Sequence, residues 1–356
     1  EENTKMTKSE NTDLTRRKFL KWTAGGLLGA GAITLGLKPW KETAQGVTVN
    51  QTRPAMGTFV EITARGEDEA ELSRLVDKAY EKITKVDKSM SVFNQGSRVH
   101  RLNAPGTKRI DLTPGLAEVL SEADRISGIT DGAFDVTSAP LVKLWGFYEG
   151  DLSVPSRDQL AETLKLVDYK GLEVDTASGT ATLPDPRAGI DLGGVAKGYG
   201  VDQAIEVLSQ GGATAGLVNA GGDIRGFGSP EGNRAWKVGL QHPLNEDQLL
   251  GALNLALPAV TTSGNYESFF TYRGSKLSHI VDPRDGRPVE DTLSVSVLTD
   301  RAVVADGLST GAFSQSAPKA LTTVSRLEDT ELIYIWKEKG KIKVEVTEGL
   351  KGEVDE

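Results

Sequence analysis

The chain has 356 residues and a net charge of −9, from 41 basic and 50 acidic side chains. This length suffices for a large core, and the acidic balance argues against a nucleic-acid partner, because no excess of basic charge remains to neutralise phosphates. The chain contains no cysteine, which excludes disulfides, thiolate zinc sites, a cysteine nucleophile and a lipid-anchored lipoprotein. The three histidines, His100, His242 and His279, are isolated from one another in the sequence, which disfavours a histidine zinc site.

Residues 1 to about 46 have the pattern of an export signal. Arg16 and Arg17 come before an apolar, Gly/Ala-rich run from Trp22 to Leu37, which is short for a membrane span. Adjacent arginines before such a run resemble a twin-arginine signal; a basic anchor helix is the alternative. We therefore expect an exported protein, periplasmic or on the outer face of the cytoplasmic membrane, whose signal is either cleaved or retained as an uncleaved anchor. The remaining chain divides into one domain over 47–346 and an acidic tail over 347–356.

The sequence of the first half of the domain predicts strands and helices in mixed order. Alternating polar and apolar residues predict one strand from Thr52 to Arg65, and apolar residues at three-to-four spacing predict a helix over about 68–88. A second helix is predicted from a cap at Thr113 to Ile126. Because strands and helices do not alternate regularly along the chain, the sequence favours an α+β fold. We expect one large domain of two interlocked subdomains, with mixed or antiparallel sheets and flanking helices.

The most informative stretch is the glycine-rich segment from Ala188 to Gly200. It predicts a short apolar strand ending at Asp191, then the pair Gly193 and Gly194, then a helix from about Val195 with Lys197 in its first turn. Glycines allow a ligand to approach the backbone closely, and the free N–H groups of a helix start favour anions. The pattern predicts a phosphate seat, although it matches neither the Walker nor the G-x-G-x-x-G spacing. A simple tight turn is the alternative.

A second chemical cluster lies in the C-terminal third. A strand from Leu293 to Leu298 leads to Thr299, a predicted cap, and to a helix in which Asp306 and Thr310 are four residues apart. Their oxygens therefore share one helical face. This pair could form part of the shell of a hard cation. The alternative is a threonine bonded to its own helix beside a solvated aspartate.

Seven segments, taken together and in order, resemble the ApbE-type FAD:protein FMN transferases. They cover nearly everything from about residue 50 to 320: Pro54-Ala-Met56-Gly-Thr58, Ser89-Met-Ser-Val-Phe93, Asp131-Gly-Ala-Phe-Asp135, Gly189-Ile-Asp191-Leu-Gly-Gly-Val-Ala-Lys197-Gly, Asn219-Ala-Gly-Gly-Asp223, Ser278-His-Ile-Val-Asp282-Pro and Ala305-Asp306-Gly-Leu-Ser-Thr310.

The resemblance implies an activity, ligands and partners. Members of this family bind FAD as substrate and a divalent cation, usually Mg²⁺, and join FMN through a phosphoester bond to a threonine of an acceptor protein, releasing AMP. Known acceptors include subunits of membrane electron-transport complexes. By resemblance, the FAD-contacting positions are Met56, Phe93, Ala133, Phe134, Asp135, Asp191, Lys197 and Ile280, and the metal positions are Gly194 (through its carbonyl), Asp306 and Thr310. Phe93 replaces a tyrosine found in many relatives, which keeps ring stacking and loses a hydroxyl.

A threonine hydroxyl is a poor nucleophile, so the reaction benefits from a base. His279 is our candidate for that base, with Asp282 as a partner that could orient it. We expect Gly194 and Thr310 to lie close together around one cation and one dinucleotide. Two other functions would use the same residues: an Mg²⁺-dependent FAD pyrophosphatase, with water as nucleophile, and a non-catalytic exported FAD-binding protein.

Overall fold

The computed structural model describes residues 46–148, 152–230, 234–255, 257–265, 269–272 and 275–351. Residues 1–45, where the twin-arginine signal is predicted, lie outside these ranges. Among the described residues, no helix combines the length and the apolar character needed to cross a bilayer.

Fifteen strands and eight α-helices are found in the described ranges. The strands are β1 (Val47–Ala55), β2 (Thr58–Gly66), β3 (Arg109–Asp111), β4 (Glu173–Asp175), β5 (Thr180–Thr182), β6 (Ala215–Ala220), β7 (Asp223–Phe227), β8 (Lys237–His242), β9 (Asn245–Asn254), β10 (Ala259–Gly264), β11 (Phe269–Tyr272), β12 (Ser275–Ser278), β13 (Thr292–Thr299), β14 (Glu331–Glu338) and β15 (Lys341–Val346). The helices are α1 (Glu69–Met90), α2 (Arg98–Leu102), α3 (Pro114–Ile129), α4 (Ala139–Leu144), α5 (Arg157–Leu164), α6 (Ala196–Gln210), α7 (Ala302–Phe313) and α8 (Ala317–Val324).

Eight strands form one large sheet, in the order β1-β2-β6-β7-β10-β13-β14-β15. Each pairing within it is antiparallel. Smaller sheets are formed by β3-β5-β4, by β8-β9 and by β11-β12. The α+β prediction with antiparallel sheets and flanking helices is therefore confirmed.

The two faces of the large sheet are covered differently, because side chains alternate along each strand. On β6, Val218 packs with the apolar faces of α1 and α6, whereas its neighbour Leu217 packs with the β8-β9 hairpin through Trp236. On β13, Val295 and its neighbours on the same face pack with α3, α7 and α8. Helices thus cover one face of the sheet and a hairpin covers the other.

The predicted strand from Thr52 to Arg65 is wrong in one respect: the chain reverses in its middle. Strands β1 and β2 form an antiparallel hairpin with Ala55 opposite Thr58. The two loop residues, Met56 and Gly57, have φ angles of 52° and 73°, as a two-residue hairpin turn requires. Methionine is an unusual residue at positive φ, which is why the sequence did not signal this turn.

The predicted strand ending at Asp191 is also wrong. The segment before the paired glycines is buried but irregular. Its backbone groups are hydrogen-bonded by a side chain and not by a neighbouring strand. The amide of Asn103 accepts a hydrogen bond from the Ile190 N–H and donates one to the Ile190 carbonyl, each at 2.8 Å. The helix that follows begins at Ala196, with Lys197 in its first turn as predicted.

The C-terminal end of the described chain packs against the sheet. The Thr347 N–H donates to the Leu332 carbonyl of β14 at 3.0 Å, and Leu350 is buried in a short 3₁₀ turn. The first residues of the predicted acidic tail are therefore part of the packed structure, while residues 352–356 lie outside the described ranges.

Candidate active site

The paired glycines lie directly against the helix that carries Asp306 and Thr310. A Cβ atom added to Gly194 would lie 2.8 Å from Thr310 Oγ1. One turn further on, the Gly198 N–H of α6 donates to Asp306 Oδ2 at 3.0 Å, across 108 residues of sequence. The expectation that these two distant segments meet is confirmed.

A second hydroxyl group lies next to Thr310. Ser263, on strand β10, places its Oγ 2.8 Å from Ser309 Oγ and 3.4 Å from Thr310 Oγ1. Ser263 is buried, so its hydroxyl helps to hold the Ser309 hydroxyl in place and also contacts the Thr310 hydroxyl. The sequence did not mark Ser263 for this position, because its two partners are 46 and 47 residues away and only the sheet brings them together.

The groups at this junction are hard oxygen donors. Asp306 supplies a carboxylate and Thr310 a hydroxyl, beside the backbone of Gly194, and such donors suit Mg²⁺ or Ca²⁺. The described part of the chain holds no cluster of three or more His, Cys, Asp or Glu side chains suited to a metal ion. A cation at this place would therefore be bound by the Asp306 carboxylate, the Thr310 hydroxyl and the Gly194 backbone, together with oxygens from water or a ligand.

Lys197 forms a buried ion pair at the same junction. Its Nζ lies 2.8 Å from Asp223 Oδ2, and the Asp223 side chain is completely buried whereas that of Lys197 is one-quarter exposed. Burial raises the pKa of the Asp223 carboxyl, and the adjacent ammonium opposes that rise. Asp223 thus holds the Lys197 ammonium in place, a role that the sequence analysis did not assign.

Two aromatic side chains form the rim of the site. The Phe93 ring is 70% exposed and meets Tyr148 edge to face, with 5.7 Å between ring centroids. The Tyr148 hydroxyl donates to Asp191 Oδ2 at 2.6 Å, and the Gly193 N–H donates to Asp191 Oδ1 at 2.7 Å. Burial, followed by the Asp191 charge, raises the pKa of Tyr148, so its hydroxyl remains a donor. Sequence reasoning missed Tyr148.

The segment from Asp131 to Asp135, one of the seven that resemble the family, forms a tight and internally bonded turn. Asp131 and Gly132 both have positive φ angles, of 54° and 74°. The Asp135 carboxylate accepts hydrogen bonds from the Thr137 N–H at 2.7 Å, the Thr137 hydroxyl at 2.6 Å and the Tyr169 N–H at 3.1 Å. Burial raises the pKa of Asp135, and the hydrogen bonds from Thr137 lower it. This carboxylate therefore stabilises the turn that presents its backbone to the site.

His279 follows strand β12 directly and reaches the site half-buried. The sequence analysis proposed Asp282 as its orienting partner. In the structure both oxygens of Asp282 bind Arg284, at 2.9 Å from Nε and 2.7 Å from Nη2. The Asp282 carboxylate therefore stabilises the turn after His279 through Arg284.

Met56, at the tip of the β1-β2 hairpin, packs on α6. A Cβ on Gly200 would lie 2.9 Å from the Met56 sulfur, so glycine at this helical position makes room for the methionine. The hairpin tip is thereby fixed beside the paired glycines.

Most of these groups line one cleft with a volume of about 440 Å³, which is within the range typical of small-molecule and cofactor sites. Its lining includes the predicted FAD-contacting and metal positions and the candidate base: Met56, Phe93, Ala133, Phe134, Asp135, Asp191, Gly194, Lys197, His279, Ile280, Asp306 and Thr310. Asp282, the predicted partner of His279, is not among the lining residues. Tyr148, Asp223 and Ser263 line the same cleft and were not selected.

Fold and site together define an α+β protein with a cleft that combines an aromatic rim, a lysine paired with a buried aspartate, and hard oxygen donors. The model of the ApbE family matches residues 56–334, and the chain belongs to that family.

Named relatives and solved structures agree with this membership. The FAD:protein FMN transferase of Haemophilus influenzae is 35% identical over 249 residues, which are 68% of this chain and 70% of that protein. The protein of the same name from Escherichia coli K12 is 29% identical over 335 residues, or 91% and 95% of the two chains. The ApbE protein of Thermotoga maritima superposes with a TM-score of 0.79 at 28% identity, covering 87% of this chain and all of that one. The Vibrio cholerae flavin transferase ApbE gives 0.74 at 27% identity, covering 86% and 99%.

Proposed function

We propose that this chain is an FAD:protein FMN transferase that uses Mg²⁺ to move FMN from FAD to a threonine hydroxyl of an acceptor protein, with release of AMP. The observation that carries the proposal is the meeting of Gly194, Asp306 and Thr310 beside Lys197 in one cleft of about 440 Å³. The names of the curated relatives support the transfer of FMN from FAD to a protein.

The reaction is a displacement at phosphorus. The threonine Oγ forms a bond to the FMN phosphorus, the bond from that phosphorus to the bridging oxygen of the pyrophosphate breaks, and AMP leaves with that oxygen. Negative charge builds on the phosphate oxygens in the transition state. Mg²⁺, when bound by Asp306, Thr310 and the Gly194 carbonyl, would neutralise part of that charge.

The other side chains have distinct roles in this proposal. Lys197 directs a second positive charge to the phosphates, and Asp223 holds its Nζ in place. His279 takes the proton from the attacking hydroxyl. Phe93 and Tyr148 offer ring surfaces to one of the two aromatic ends of FAD.

The proposal is tested by mixing the protein with FAD, Mg²⁺ and an acceptor fragment that contains a threonine. We expect a fluorescent acceptor whose mass has increased by one FMN, together with AMP. AMP and FMN without labelled acceptor would instead identify a pyrophosphatase, and tight FAD binding without turnover would identify a binding protein. An acceptor fragment with valine in place of the threonine is the matched control.

The proposed location is outside the cytoplasmic membrane. It rests on the arginine pair Arg16 and Arg17 and the apolar run that follows, and it suits an acceptor that is part of a membrane electron-transport complex. Fusion of residues 1–46 to a reporter that is active only after export, compared with the same fusion carrying R16K and R17K, tests this location.

We expect Gly194→Ala to lower the transfer rate by roughly 100-fold. The new Cβ would lie 2.8 Å from Thr310 Oγ1 and 3.0 Å from Thr310 Cγ2, so the Thr310 side chain must shift, and a displacement of about 1 Å can cost roughly 100-fold in rate. The measurement is the initial rate of acceptor labelling at saturating FAD.

Gly128→Ala is the control for this substitution. Gly128 lies in helix α3 and a Cβ there would meet nothing within 4 Å. Its replacement should leave the rate unchanged and stabilise the helix by about 0.5–1 kcal/mol. Equal rates for the two variants would contradict the assigned closeness of Gly194 and Thr310.

A further inference from the structure

Helices α6 and α7 are aligned by three contacts spaced one helical turn apart. Gly194, just before α6, lies against Thr310; Gly198 bonds to Asp306; and Asp202 bonds to the first residues of α7. Positions 194, 198 and 202 thus meet positions 310, 306 and 302. The two segments run antiparallel in a fixed register. Gly194, Asp306 and Thr310 line the cleft, whereas Gly198, Asp202 and Ala302 do not.

The start of α7 has no cap of its own. The residue before the helix is Arg301, whose side chain makes no capping hydrogen bond; Thr299, the predicted cap, is instead the last residue of β13. Asp202 supplies the cap from the other helix. Its Oδ1 accepts from the Ala302 N–H at 2.9 Å, and its Oδ2 accepts from the Val303 N–H at 3.0 Å.

The two helices are also pressed together at the middle contact. A Cβ on Gly198 would lie 2.3 Å from the Ala302 carbonyl oxygen, so the backbones approach as closely as glycine permits. The same Gly198 donates its N–H to the Asp306 carboxylate. The distance between the two helices is therefore fixed at this contact, and Asp202 adds a hydrogen-bonded contact at the start of α7.

The Asp202 carboxylate is itself held in place by burial and by two arginines. It is almost completely buried, and Arg225 Nη1 of strand β7 lies 2.7 Å from Oδ1. Arg301 Nε lies 3.9 Å from Oδ2, while Nη2 and Nη1 of the same guanidinium pair with Glu118 and Glu122 of α3. Asp202 therefore joins α6, α7 and the sheet through charged and hydrogen-bonded contacts that all converge on one carboxylate.

We propose that Asp202 is a positioning residue that sets the register of α7 and thereby aims Asp306 and Thr310 at the cation site. This inference rests on the proposed function, in which those two side chains hold the cation. A shift of one residue along an α-helix turns each side chain by about 100°. A small loss of register at the start of α7 would therefore misplace both donors together.

The test compares Asp202→Ala with Asp68→Ala by binding of Mn²⁺ alone, followed through loss of the free-ion electron paramagnetic resonance signal. Asp68 caps α1 by accepting from the Glu71 N–H at 2.8 Å, so both variants lose a helix cap. Because supporting residues around metal ligands typically change affinity by about 10- to 100-fold, we expect that loss for Asp202→Ala. Asp68→Ala should bind Mn²⁺ within about twofold of the unaltered protein. Equal affinities in the two variants would overturn the proposal.

If Asp202→Ala does not fold, the test uses Asp202→Asn instead. The amide keeps one acceptor for α7 and loses the charge that faces Arg225, so a loss of Mn²⁺ affinity smaller than tenfold but above twofold is expected. Unchanged affinity in this variant would also overturn the proposal.

If the unaltered protein transfers FMN and binds Mn²⁺, and both Asp202 variants bind Mn²⁺ as tightly as the unaltered protein, only this inference fails. If the unaltered protein binds no Mn²⁺, the metal assignment fails and this inference fails with it.

Discussion

Asp306→Asn is expected to lower the rate of FMN transfer by roughly 1,000-fold at saturating FAD. The asparagine still accepts the hydrogen bond from the Gly198 N–H that Asp306 Oδ2 accepts at 3.0 Å, so the helix pair should remain intact. What is lost is the negative charge at the proposed cation site. A loss of about 4 kcal/mol in transition-state stabilisation corresponds to that factor.

The measurements are acceptor labelling over a range of Mg²⁺ concentrations and FAD binding in the absence of metal. Asp300→Asn is the matched control, because Asp300 is exposed and lies just before the same helix. It should keep the rate and the Mg²⁺ dependence of the unaltered protein. A rate for Asp306→Asn within tenfold of the unaltered protein, at the same Mg²⁺ dependence, would show that this carboxylate does not hold the cation.

His279→Gln is expected to lower turnover by about 10²- to 10⁴-fold, the range typical of a lost general base. FAD affinity should change by less than about threefold, because the proposed role of the imidazole is in proton transfer rather than in binding. The glutamine keeps much of the side-chain size next to Ile280 in the cleft. The measurement is single-turnover labelling together with FAD titration.

The control for this prediction is His242→Gln. His242 ends strand β8 and accepts from the Leu244 N–H at 3.1 Å through Nδ1, in a hairpin that does not line the cleft. It should leave turnover and FAD affinity unchanged. If His279→Gln weakened FAD binding as much as it slowed turnover, the histidine would be a binding or structural residue instead.

Much of the site could be selected from the sequence because its residues lie in short, recognisable segments. The four-residue spacing of Asp306 and Thr310 places both on one helical face wherever that helix is found. Paired glycines before a helix likewise indicate a close approach of backbone, and Gly194 does lie against Thr310. Local patterns of this kind depend only on neighbouring residues, so they can be recognised before the fold is known.

The residues that sequence reasoning missed have partners far away in the chain. Tyr148 bonds to Asp191, Asp223 pairs with Lys197 and Asp202 caps α7 across 100 residues. The hairpin turn at Met56 was missed for a different reason, because a methionine at positive φ is stabilised by its surroundings and not by its own preference.

The amino-acid sequence alone is enough to establish the absence of thiols, the acidic balance, the α+β class and the segments that line the candidate site. The tertiary structure decided which of those segments touch: the eight-stranded order of the sheet, the register of α6 against α7, and the capping of α7 by Asp202. The physical reason is that helical spacing and turn preferences are properties of adjacent residues, whereas strand order and helix register are set by the packing of the whole core.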